Sequence, residues 1–87
     1  MAVIYSLREI EAGIVSITKA EAEGLKERGE RLYGEKLRAV FEPSRIGEFL
    51  IIEPDSGHHF DNRDWVAAVR EAHAAIPDKR FYSLRVG

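Results

Sequence analysis

His58 and His59 stand two and three residues before Asp61, and imidazole with carboxylate is a ligand set that suits zinc or nickel. Neighbouring side chains of a strand point to opposite faces, so the two rings cannot reach one ion without a bulge. The spacing therefore predicts solvent-facing or cross-strand histidines and no metal. Ser56, His58, Asp61 and Asp64, or the pair Glu53 and Asp55, supply residue types for acid–base work, which needs convergent groups with displaced pKa values. Each of them stands at a turn or a helix start, where local structure already asks for that residue type. No nucleophile elbow, phosphate-cradling glycine loop or metal-hydrolase spacing occurs in the chain. The expectation is a protein that is not an enzyme, with no catalytic residue and no cofactor.

Arg80-Phe81-Tyr82-Ser83-Leu84-Arg85 interleaves basic and aromatic residues on a strand, where aromatics can stack bases while arginines hold phosphates. Tyr82 shares its face with Leu84 and Val86 and belongs to the core. Arg80, Phe81 and Arg85 are thus the candidate nucleic-acid contacts, with Phe81 on the outer face. Protein binding has broader material. Leu25, Leu32 and Tyr33 are candidate anchors on a helix, the connector Ile14, Val15 and Ile17 is apolar, and Ala67, Ala68, Ala74 and Ala75 flank the stripe of the last helix. Trp65 is expected to hold the platform beneath them. The main reading is a small protein-interaction or regulatory module, and the alternative is a nucleic-acid-binding regulator.

The elements that must position these residues are legible from caps and periodicity. Ser6-Leu7-Arg8-Glu9 and Thr18-Lys19-Ala20-Glu21 both fit the capping box, in which a hydroxyl and a glutamate three residues on each satisfy an orphaned backbone N–H. The first helix should run from Leu7 to about Ala12 and close at Gly13. The second should begin near Lys19, with Ala22, Leu25, Leu32, Tyr33 and Leu37 on one stripe. Gly24, Gly29 and Gly34 recur every fifth residue and each costs about 1 kcal/mol relative to Ala in a helix. They read as tolerated glycines or as an early helix end at Gly34, with close backbone approach the other possibility.

Phe49-Leu50-Ile51-Ile52 is apolar on both alternating faces, as in a central strand covered by helices on each side. Glu53-Pro54-Asp55-Ser56-Gly57 then turns the chain, with Gly57 supplying a positive φ, into a short strand from about His58 to Phe60. Asp61-Asn62-Arg63-Asp64 offers a helix cap. Trp65, Val66, Val69, Ala72, His73 and Ile76 follow at helical spacing until Pro77, with His73 a boundary residue. Tyr82, Leu84 and Val86 alternate with Ser83 and Arg85 as a half-buried strand. The order gives an α+β fold in which N-terminal helices, residues 1–42, pack on a ββαβ unit, residues 43–87.

Eighty-seven residues make one domain, with little stability in reserve, so a protein partner or homo-oligomer is expected. Residues 1–43 carry seven Lys/Arg against eight Glu, and residues 44–87 carry six against seven Asp/Glu, so neither half advertises a polyanion partner, and only a convergence of Arg38, Arg45, Arg70, Lys79, Arg80 and Arg85 in space would make a local basic patch. Cysteine is absent, and neither a signal peptide nor a membrane span is legible. A cytoplasmic protein is expected.

The segments Gly29-Glu30-Arg31-Leu32-Tyr33, Gly47-Glu48-Phe49-Leu50-Ile51-Ile52-Glu53, Ser56-Gly57, Pro77-Asp78 and Phe81-Tyr82-Ser83-Leu84-Arg85-Val86-Gly87 resemble a family of small uncharacterised prokaryotic proteins, common in cyanobacteria. The resemblance covers about two-thirds of the chain and implies no reaction. Where the family often has acidic or tyrosine residues after the Ser-Gly turn, this chain has His58-His59. In element order the sheet-plus-helix half is similar to HicB-like antitoxins, which implies an antitoxin-like partner of a toxin.

Overall fold

Both capping boxes form. In the computed structural model, which describes residues 2–14 and 16–87, the Ser6 hydroxyl accepts from the Glu9 N–H at the head of α1 (Leu7–Ala12), and the Glu9 carboxylate accepts from the Ser6 N–H. Thr18 and Glu21 repeat the exchange at the head of α2 (Lys19–Leu32). Gly13 closes α1 at φ 72°. Of the apolar connector, Ile14 is exposed and Ile17 half-buried, while Val15 lies outside the described residues.

The long helix does not end at Gly34. It continues from α2 through a π-helical segment, Tyr33–Leu37, into α3 (Arg38–Phe41). The residues it turns inward recur every four, as Leu25, Gly29, Tyr33, Leu37 and Phe41, and all are buried. In an ideal α-helix such a repeat drifts around the axis by about 40° per step. The wider π turn winds the stripe back onto the sheet. Close approach holds at one of the three spaced glycines: a Cβ on Gly29 would lie 2.6–2.8 Å from Tyr82 side-chain atoms, whereas Gly34 meets nothing within 4 Å.

Four strands form one antiparallel sheet in the order β1-β4-β2-β3, namely β1 (Ala2–Ile4), β2 (Phe49–Ile52), β3 (His59–Asn62) and β4 (Phe81–Arg85). The β2–β3 hairpin closes through Gly57 at φ 80°, with the Glu53 N–H donating to the His58 carbonyl at 2.8 Å. β3 starts one residue later than expected and runs to Asn62, because Ile52 pairs with His59 and Phe49 with Asn62. β1 is a correction to the reading of the N-terminal half as helices alone. Three residues are too short to show a period, and the strand exists because β4 offers it an edge.

Helices cover both faces, giving an α+β fold in three layers. On one face α2, the π segment and α3 bury Leu25, Tyr33, Leu37 and Phe41 against Leu50, Ile52, Tyr82, Leu84 and Val86. On the other, α4 (Trp65–Ala75), capped by Asp64, buries Ala68 and Ala72 against Ile51, Phe81 and Ile4. β4 is therefore an interior strand, paired with β1 and β2 and packed on both faces. β1 runs parallel to β2 with β4 between them, and β3 parallel to β4 with β2 between them. With their helices on opposite faces, the two crossovers have opposite hands, so one is of the uncommon left-handed kind. Among the described residues, no helix is long and apolar enough to cross a membrane.

Candidate functional site

The register sends functional residues to the two ends of the sheet. Where β2 and β1 end and β4 begins, Ile52, Ile4 and Phe81 lead into the turns that carry Glu53, Asp55 and Arg80. At the opposite end, Phe49 lies between Asn62 and Arg85.

The first end holds a cleft of about 530 Å³ whose lining includes Arg8, Glu9, Glu21, Arg28, Asp55 and Arg80. Its charges are already matched. The Arg80 guanidinium reaches Glu9 at 2.6 Å, Glu21 at 2.9 Å and the Ser16 carbonyl at 3.2 Å. Arg28 and Lys79 both pair with Asp55, and Arg8 pairs with Asp78. Buried Glu53 accepts the Asp55 and Ser56 N–H groups, each at 2.9 Å. The cleft is thus a seam that ties α1 and α2 to the start of β4.

Arg80 holds the Glu9 carboxyl down to about 2 from its ordinary 4.5, chiefly by hydrogen bonding, against the opposing effect of desolvation. Since the folded value is depressed, the stabilisation is present above about pH 5 and is lost as pH falls toward about 2. With solvent screening, about 1–2 kcal/mol should disappear over that range. Urea midpoints measured from pH 7 down to pH 2 should fall less steeply in Glu9→Gln and Arg80→Met than in the parent. A parent-like slope in both variants would show that the seam does not carry the acid sensitivity.

The expected anchors Leu25 and Tyr33 are not at the surface. Both are 7% exposed and belong to the core, and half-buried Leu32 packs against the same cluster. The tertiary fold uses their stripe to cover the sheet. The Tyr33 hydroxyl donates to Glu42 at 2.6 Å, and burial followed by that bond pushes the phenol pKa up. Phe81, expected outward as a base-stacking residue, is 0% exposed, because α4 covers the face on which it lies. Arg80 is committed to its carboxylates, and of the three basic-strand candidates only Arg85 remains at the surface.

The residues weighed for catalysis are held in local structure. Ser56 accepts from the His58 N–H, Asp64 caps α4 through the Val66 N–H, and Asp61 pairs with Arg45. His59 lies edge-on to Phe41 at 5.4 Å, and His73 bonds the Tyr5 carbonyl through Nε2 at 2.8 Å. Among the described residues no three His, Asp or Glu side chains converge in a metal-holding group.

The second end is different. Trp65 is 36% exposed, Val66 51% and Ile46 65%. The Trp65 ring meets Phe49 edge-to-face at 5.5 Å, and the Arg85 guanidinium lies 5.5 Å over the other aromatic partner of that pair, Phe49. Ile46 abuts Gly87, two residues beyond Arg85. Trp65 thus holds the platform at its rim, and Val66 lies outside the stripe in which helical spacing placed it. Ala68 and Ala72, both 0% exposed, form the centre of the buried stripe instead. Their small side chains bring α4 close to the sheet and rotate Val66 outward, to the flank that also carries His73 and so overlooks β1 and β4. Glu71, on the opposite flank, meets Asn62 of β3.

Sequence reasoning did not single out Ile46, Phe49, Val66 or Arg63 as site residues. The available signal was the Ala68/Ala72 pair, which marks where a helix approaches most closely. Comparison with protein-family models, with curated proteins and with solved structures finds no match to this chain.

Proposed function

We propose that this protein is a small non-enzymatic interaction module that regulates a protein partner by binding it at the Trp65 end of the sheet. One observation carries the reading: Ile46, Trp65 and Val66 are large apolar residues exposed toward one end of the sheet, where Trp65 meets Phe49 and Ile46 abuts Gly87. A rigid three-layer domain presenting apolar side chains ringed by polar ones is the anatomy of a protein contact. The specific form we favour is an antitoxin-like partner acting in the cytoplasm, supported by the sheet-plus-helix element order. The nucleic-acid alternative keeps Arg85 but loses Phe81 to the core and Arg80 to its ion pairs.

The test is capture of the tagged protein from native lysate, with and without nuclease, comparing the parent with Val66→Asp. Val66 occupies the second position of α4 after its Asp64 cap, where an added carboxylate favours the helix. The fold should therefore persist, which a thermal melt checks. A stoichiometric protein partner that survives nuclease and falls by about tenfold with Val66→Asp is expected. Partners that vanish on nuclease treatment, or that ignore the substitution, would end this reading.

A further inference from the structure

Arginine pairing singles out one region of the molecule. Of nine arginines, Arg8, Arg28, Arg38, Arg45 and Arg80 each form an ion pair with a carboxylate. Among the described residues, Arg31, Arg63, Arg70 and Arg85 form none. Two of those four, Arg63 and Arg85, stand at the Trp65 end, and Arg70 lies farther along α4. Arg63 directly precedes the Asp64 cap of α4, and Arg70 stands one turn beyond Val66 on the same flank of the helix. Arg85 has its Nε–H on the Gly47 carbonyl at 3.2 Å and its guanidinium over Phe49. Nearby acids do not cancel them: the Asp64 carboxylate is engaged as the α4 cap and Asp61 is taken by Arg45. Glu48, half-buried in the turn that leads into β2, and exposed Glu71, turned to Asn62 on the other flank of α4, also stand at this end, and among the described residues neither forms an ion pair with these arginines.

In a chain of net charge −2, an apolar patch with an unmatched arginine rim calls for the complementary pattern on its partner. We infer that this surface takes an acidic amphipathic peptide segment, whose apolar side chains cover Trp65 and Val66 while its carboxylates reach Arg63, Arg70 and Arg85. Charge complementarity selects this occupant over a second copy of the chain, because a self-complementary contact would place arginine rim against arginine rim. Aliphatic Ile46 and Val66 beside the aromatics favour a peptide over single-stranded nucleic acid, which would ask for stacking rings and a wider basic field. The inference rests on the proposed interaction surface and adds the chemistry of what binds there.

The experiment is selection from a displayed library of random peptides against the intact protein, in parallel with selection from a random single-stranded RNA pool. The recovered peptides should be enriched in Asp and Glu interspersed with large apolar residues. Their affinity should fall by about tenfold or more in Arg63→Glu/Arg70→Glu and be largely retained in Arg63→Lys/Arg70→Lys. It should also fall in Val66→Asp. Recovered peptides that need Val66 but show no acidic bias would overturn the acidic chemistry while leaving the interaction surface in place. Peptides indifferent to Val66 would remove both. Strong enrichment of RNA dependent on Arg63 and Arg70 would overturn the peptide in favour of a polyanion.

Discussion

Phe81→Ala is expected to destabilise the protein by about 3–5 kcal/mol, the range for removing a fully buried aromatic side chain from a core. The ring is 0% exposed and sits edge-to-face with Phe60 at 6.3 Å and tilted against His73 at 6.0 Å. Its strand partner is Ile4 of β1, so a cavity there loosens the edge strand as well as the layer beneath α4. A domain of this size has a total stability of about 4–13 kcal/mol, so the alanine variant could be largely unfolded. Phe81→Leu, which leaves a smaller cavity, keeps the comparison measurable and should lose about a third as much. Arg85→Ala, four residues along the same strand and exposed, loses a bond to Gly47 and a cation–π contact with Phe49 and should cost about 1 kcal/mol or less. Chemical denaturation of the three variants checks the order. Equal, small effects for Phe81→Ala and Arg85→Ala would mean that Phe81 faces solvent, as a base-stacking role requires.

Gly29→Ala is the second large effect, and its sign reverses at the neighbouring glycines. A methyl group on Gly29 would lie 2.6 Å from Tyr82 Cδ2 and 2.7 Å from its Cβ. The Cβ belongs to the stem of an interior strand residue and cannot swing aside, so α2 must lift from the sheet. Overpacking of this kind costs about 1–3 kcal/mol, occasionally more. Gly24 and Gly34 have room for the methyl, and Ala there should stabilise by up to about 1 kcal/mol through helix propensity. Thermal melts of the three single variants would reveal the pattern. A Gly29→Ala protein as stable as Gly24→Ala would show that the helix does not approach the sheet so closely at that point.

Tyr82, the residue that Gly29 meets, shows how the approach is used. Its hydroxyl donates to Glu30 at 3.3 Å, and burial, followed by the Glu30 charge and that bond, pushes the phenol up to about 12. Helix, glycine and tyrosine thus form one contact in which only a residue without a side chain fits between α2 and β4.

Much of the local structure was legible because it is decided by residues a few positions apart. The two capping boxes, the left-handed stop at Gly13, the turn through Gly57 and the fully apolar β2 all follow from short-range hydrogen bonding, backbone sterics or alternation. The α4 start at Asp64 and its end before Pro77 belong to the same class. The π segment was not read: the stripe drawn from the sequence, Ala22, Leu25, Leu32, Tyr33 and Leu37, follows regular helical spacing and omits Gly29 and Phe41, which only the packing against the sheet turns inward. The candidate site was legible in part. Trp65 was legible as a platform residue and Arg85 as a basic residue of the last strand, whereas Ile46, Val66 and Arg63 have no local signature that separates them from ordinary surface residues.

The sequence by itself determined where helices and hairpin begin and end, that the class is α+β, and that β2 must be covered on both faces. Only the tertiary structure decided that β4 is interior, because that depends on β1, a three-residue strand that gains its hydrogen bonds only once β4 is beside it. That one pairing, with α4 on the same face, buries Phe81, while the helix stripe that covers the other face buries Leu25 and Tyr33. The rotation of α4, set by how closely Ala68 and Ala72 let it approach the sheet, turned Val66 outward and set it beside Trp65 and the arginine rim. Burial and charge pairing are properties of neighbours distant in the chain, which is why they appear only when the layers are assembled.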